Sequence, residues 1–99
     1  MKRLPQPMSA EAKLAWALAD AASVCFTTAD QIGVYTALGA GESYSAIVHT
    51  LVIVVRSRHS LPAKLVGELA TWLNGYSGNE YEPRIRSLLE AYTMRAGSV

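Results

Sequence analysis

The stretch ESYSAIVHTLVIVVRSR, Glu42 to Arg58, decides how the chain folds. Two readings compete for it. Its isoleucines and valines suit a buried β-strand over Ile47–Val55. It also sets Tyr44, Ile47, Val48, Leu51, Val52 and Val55 at i, i+3, i+4, i+7, i+8 and i+11, the apolar stripe of a helix. The helix is the better reading. Its period holds along the whole stretch, and no second strand-like segment exists for a strand to pair with. Ala46, Thr50, Ile53 and Val54 cover much of the remaining circumference, which leaves a polar strip of Ser45, His49 and Arg56. A helix that is apolar on most sides belongs at a centre.

Working outward, helix signals mark nearly every boundary. Before the central stretch, a first helix is expected from about Ser9 to Phe26, capped by Ser9 and favoured by Glu11 in its first turn. Leu14, Leu18, Ala21, Ala22 and Cys25 form its core stripe. Thr28 opens a second helix with Gln31 as its capping-box partner, and Gly39 or Gly41 ends it. Ile32, Tyr35 and Leu38 are its apolar edge. After the central stretch, Ser60 and Pro62 start a fourth helix. Its inner side is Leu61, Leu65, Val66, Leu69, Trp72 and Leu73; its outer side carries Lys64, Gly67, Glu68, Thr71 and Asn74. Asn79 caps the fifth, whose stripe is Tyr81, Ile85, Leu88, Leu89 and Tyr92. Glu82, Arg86 and Glu90 are spaced for pairing along its wet face.

The fold class that follows is all-α: a compact irregular bundle of about five short helices around a central apolar helix at residues 42–58. Residues 1–8, with Pro5 and Pro7, are expected to form a flexible tail, residues 9–95 a single helical domain, and residues 96–99 a flexible C-terminus. Ninety-nine residues suit one domain.

Composition bounds the function. Hydrophobic residues make up 51% of the chain and charged residues only 17%. That is apolar for a small soluble protein, so part of the surplus is expected under a partner or a second copy. A net charge of +1 lowers the prior for a polyanion binder. The single cysteine, Cys25, forms no internal disulfide and suits a reducing compartment. Lys2 and Arg3 precede an alanine-rich segment, but Glu11, Lys13 and Asp20 interrupt any signal-like apolar region. The longest apolar run, Leu51–Val55, is far short of a membrane span of about 20 residues. A cytoplasmic protein without membrane association is expected. The fifteen alanines and the excess of arginine over lysine point to a GC-rich bacterial genome.

Three functional readings follow. The leading one is a small non-enzymatic protein acting through protein–protein interaction, self-associating as a homodimer or binding another protein. Trp16 carries it, since a helical projection sets this residue off the core stripe, beside Lys13 and Asp20. There it covers an internal neighbour or contacts another chain. Ile53, on the all-round apolar helix, is the second interface candidate. The next reading is an anionic, phosphorylated ligand at the basic hinge, where Arg56, Arg58, His59, Ser60 and Lys64 surround a helix start. The same cations would sit there for stability alone, at the negative end of the preceding helix dipole. The last is a helix-turn-helix in residues 28–52, with Ala37, Gly41 and Ile47 as skeleton. Its second helix has no Arg, Lys, Asn or Gln before Arg56 to read bases. Catalysis has little to work with. Cys25 lies on an apolar stripe, His49 is far from it in sequence, and Glu80 and Glu82 are explained by capping. No metal or cofactor is expected.

Overall fold

Ser9 starts the first helix as its spacing foretells: its hydroxyl accepts a hydrogen bond from the Ala12 N–H at 3.2 Å. The structure, a computed structural model, describes residues 9–75, 80 and 82–97. Helix α1 spans Ala10–Ala22 and tightens into a single 3-10 turn at Ser23–Cys25, so it stops short of Phe26. The side chains explain the tightening. The Ser23 hydroxyl donates to the Asp20 carbonyl at 2.8 Å and the Cys25 thiol to the Ala22 carbonyl at 3.1 Å, competing with the helical ladder.

Helix α2 (Thr28–Gly39) is capped by Thr27, one residue before the expected Thr28. The Thr27 hydroxyl accepts from the Asp30 N–H, and the Asp30 carboxylate accepts from the Thr27 N–H, both at 3.0 Å. Both threonines could cap. Starting at Thr27 puts a carboxylate, not the Gln31 amide, in the reciprocal position at the positive end of the helix. At its far end Gly41 takes φ 79, and the Gly41 and Glu42 N–H groups close back on Leu38 and Ala37.

Helix α3 (Ser43–Ser57) is the decisive stretch, and it is a helix. It ends in the same left-handed closure, but with Arg58 in the position where glycine is usual, at φ 56. Helices α4 (Ala63–Gly75) and α5 (Glu82–Gly97) complete the fold, with no strand among the described residues. The Pro62 carbonyl accepts from the Leu65 and Val66 N–H groups in the first turn of α4, so the proline stands just ahead of the helix. Within α5, Arg86 pairs with Glu82 one turn back. The expected cap Asn79 and core residue Tyr81 lie outside the described residues, as does the expected tail at 1–8.

Three helices, α1, α2 and α5, wrap α3, while α4 lies across α1 and α5. Ile47, Leu51, Ile53 and Val54 are all but inaccessible to solvent. Burying a side chain of that size contributes about 1.5–3 kcal/mol. Tyr92 ties α5 to the linker between α3 and α4, its buried hydroxyl accepting the Leu61 N–H at 2.9 Å.

Two faces are turned from their expected settings. On α3 the buried face includes Ser43, Ala46 and Thr50, while Tyr44, Val48, Val52 and Val55 are only half-buried. The reason is steric. Helix α1 buries Ala15, Ala19 and Ala22 completely, and Ala46 on α3 is also fully buried. Small side chains on both elements let the two backbones come close, a packing that a stripe of large residues cannot indicate. Cys25 and Ala21, expected in the α1 stripe, are half-buried. On α2, Ile32 is 64% exposed and the buried apolar residues are Val34, Ala37 and Leu38. Here Gly33 sets the rotation: a Cβ at this position would stand 2.5 Å from Cε1 of His49. Helix α2 therefore docks with Gly33 over the His49 ring, which turns Ile32 outward. Ile53, a candidate for an interface, is instead inside the chain's own core at 1% exposure.

Thr50 is wholly buried, and its hydroxyl has no hydrogen-bond partner among the described residues. An unmatched buried hydroxyl costs about 1–3 kcal/mol. Thr50→Val keeps the shape and removes the polar atom. It is expected to stabilise the protein by about 1 kcal/mol, raising Tm by about 4–8 °C in a thermal melt.

Candidate functional site

The basic hinge is resolved into separate roles. The Arg56 guanidinium donates to Oδ2 of Asp30 at 3.2 Å, tying the C-terminal end of α3 to the N-terminal cap of α2. Nε2 of His59 lies 3.1 Å from the Ala21 carbonyl oxygen. A carbonyl can only accept, so Nε2 carries the proton and donates. Arg56 and His59 thus serve as ties to α2 and α1. Arg58, Ser60 and Lys64 are exposed. Of the five residues read from the sequence as one anion site, two are thus engaged with other helices of the chain.

Asp30 gathers the cap and the ion pair. Its carboxyl is held below its ordinary pKa, first by the Thr27 N–H and then by the Thr27 hydroxyl and Arg56, against the opposing effect of burial. The folded pKa is below the unfolded one, so the charged carboxylate stabilises the fold above the unfolded pKa. That contribution is lost as pH falls through the folded value. Asp30→Asn is accordingly expected to be less stable than the wild type at neutral pH, with the difference shrinking below about pH 4. Urea midpoints measured across this range check it.

Trp16 faces α2. Its ring centroid lies 5.8 Å from that of Tyr35, and Phe26 meets Tyr35 edge-on at 6.3 Å. The Tyr35 hydroxyl donates to Asp20 at 3.0 Å. Burial, and then the Asp20 carboxylate, push its pKa above the ordinary value. Trp16 is half-buried in this cluster. Of the two roles open to it, the cluster supplies the internal neighbour.

The helix-turn-helix reading meets a geometric obstacle. Its recognition helix would be α3, which α1, α2 and α5 enclose. Nor do Cys25 and His49 form a pair, since the thiol donates to Ala22 and the His49 ring lies over Gly33. No group of three or more His, Cys, Asp and Glu side chains that could hold a metal gathers among the described residues. No helix among them is long and apolar enough to cross a membrane.

A concave feature lies between α1 and α4, an open groove of about 800 Å³. Ala10, Lys13, Leu14 and Ala17 line one wall, in the i, i+3, i+4, i+7 pattern of a single helix face. Lys64, Gly67, Glu68, Thr71 and Trp72 line the other. The His59–Ala21 contact ties the linker ahead of α4 to the last turn of α1. Trp72 is fixed from beneath by Tyr44 of α3, with ring centroids 5.6 Å apart.

Two properties of this groove bear on its use. Gly67 sits in the middle of α4, and beyond the helix's own backbone and the adjoining residues nothing lies within 4 Å of the place a Cβ would occupy. A mid-helix glycine costs about 1 kcal/mol against alanine, and nothing inside the chain requires it. Lys13, Lys64 and Glu68 have no ion-pair partner among the described residues. From sequence, Gly67, Glu68 and Thr71 were simply the wet side of the fourth helix, and Lys64 was also assigned to the basic hinge. The one local signal was the glycine inside an amphipathic pattern. The opposing wall comes from more than 40 residues earlier, which no local spacing can reveal. No protein-family model matches this chain, and neither a curated protein nor a solved structure matches it.

Proposed function

We propose that this is a non-enzymatic interaction protein that self-associates, with the α1–α4 groove as its docking surface. The observation that carries the reading is the groove itself, about 800 Å³ of concave surface lined by Leu14, Ala17 and the Trp72 ring. Concave, largely apolar surface with a few polar groups is where helices and ligands dock. The low charge content of the chain, 17%, supports it, since association removes apolar surface from water. So does Gly67, whose cost to α4 has a use if another backbone approaches there. The notion of Trp16 and Ile53 as the contact surface is replaced by this groove, because both side chains have neighbours within the chain.

Gly67→Leu separates folding from docking. Leucine has space there and a better helix propensity, so the monomer is expected to gain about 0.5–1 kcal/mol. The same side chain fills the groove, and the dissociation constant should rise at least about ten-fold, or about 1.4 kcal/mol. Sedimentation equilibrium up to about 100 µM, where a standard-state gain of some 5–6 kcal/mol is visible, reads the second effect. A wild-type chain that stays monomeric throughout, or a Gly67→Leu chain that associates unchanged, would rule the reading out.

A further inference from the structure

Resting on that reading, we propose that the groove's occupant is a second copy of this chain, docked α4 against α4 about a two-fold axis that passes between Lys64 and Glu68. These two side chains have opposite signs, lie one helical turn apart, and both face the groove. Placed antiparallel across the axis, Lys64 of each copy meets Glu68 of the other, so both contacts are attractive. A parallel two-fold arrangement would put Lys64 on Lys64 and Glu68 on Glu68. Closed dimers use one patch twice, and it must complement itself. This patch does so in one orientation only.

The spacing serves little else. With lysine N-terminal to glutamate, an i, i+4 pair is in its weaker order for bonding within the helix. Neither residue has an ion-pair partner among the described residues. Gly67, beside them on the same side of α4, leaves open space where the second backbone comes nearest. Leu14, Ala17 and Trp72 give the approaching helix an apolar bed. A uniformly acidic helix from another protein fits less well, because it would satisfy Lys13 and Lys64 but meet Glu68 with like charge.

Sedimentation equilibrium of the full-length wild-type chain and of Lys64→Glu, Glu68→Lys and the double variant Lys64→Glu/Glu68→Lys tests the arrangement. Each single reversal creates two like-charge contacts in the dimer. The dissociation constant should rise at least about ten-fold in each. The double reversal restores both pairs with their signs exchanged, so affinity should return to within about three-fold of wild type. Both positions are exposed on α4, and circular dichroism is expected to find unchanged helicity in all three variants. An independent readout needs no variant: raising the salt from about 0.05 to about 0.5 M should weaken wild-type association. Association that ignores the single reversals and the salt, or a double variant no better than the singles, overturns the two-fold arrangement. If Gly67→Leu still weakens that association, the groove remains the docking surface and only the arrangement fails. A wild-type chain that never associates overturns both.

Discussion

Leu51→Ala is expected to destabilise the protein by about 3–4 kcal/mol and to lower Tm by about 15–25 °C. Leu51 is fully buried at the middle of α3, the helix that α1, α2 and α5 enclose. Truncation removes apolar contacts on several sides at once. The wrapped helix cannot move toward one neighbour without leaving another, so the cavity collapses only in part. Helix propensity does not offset the loss, because leucine and alanine are both good helix formers. A domain of this size has only about 5–15 kcal/mol of net stability. A comparison along the same helix tests its rotation. Val54 is completely buried and Val52 half-buried, so Val54→Ala should cost about 2 kcal/mol and Val52→Ala under about 1. Urea denaturation of the three variants provides the numbers. Equal losses at positions 52 and 54 would mean that α3 is turned differently about its axis.

Ala19→Leu should cost about 2–3 kcal/mol or more, from the opposite cause. Ala19 is fully buried on the face of α1 that also carries Ala15 and Ala22. The close approach of α1 and α3 depends on those small side chains. A leucine there must push the helices apart or adopt a strained rotamer, and either change loosens the neighbouring contacts. The same substitution at Ala17, on the exposed wall of the groove, adds the same atoms to the same helix. It should alter monomer stability by no more than about 0.5 kcal/mol. A small effect at both positions would show that α1 and α3 are not in tight contact.

These two substitutions also mark what the sequence could convey. Helix α3 was legible from its unbroken period, and Ser9 and the glycines near residue 40 were legible as punctuation. Its rotation was not. A stripe of Val48, Val52 and Val55 outweighs Ala46 and Thr50 in any hydrophobic pattern, yet the alanine face of α1 favours the smaller side chains inside. The position of α2 hung on a single steric fact, the contact of Gly33 with His49, and that contact joins residues 16 apart in the sequence. Thr28 with Gln31 reads as the capping box along the chain, but Thr27 with Asp30 is the pair that closes it.

The site followed the same rule. Clustering along the chain identified Arg56, Arg58, His59, Ser60 and Lys64, but what Arg56, His59 and Lys64 do depends on residues distant in sequence. Asp30, 26 positions before Arg56, accepts its guanidinium, and the Ala21 carbonyl accepts from His59. Lys64 alone of the five belongs to the groove, whose opposite wall comes from α1. Propensity and capping are local, so they can be read along a chain. A groove is a property of two helices brought side by side by the core they share.

Native-state hydrogen exchange bears most directly on the central place of α3. An enclosed helix opens only when the whole domain does. The amides of Leu51 to Val54 should therefore be the slowest in the protein and exchange with the free energy of global unfolding. Those of α4, which lies across α1 and α5, should open at lower cost. Exchange at Leu51 to Val54 that is faster than in α1 or α5 would show that this segment is not the core around which the other helices pack.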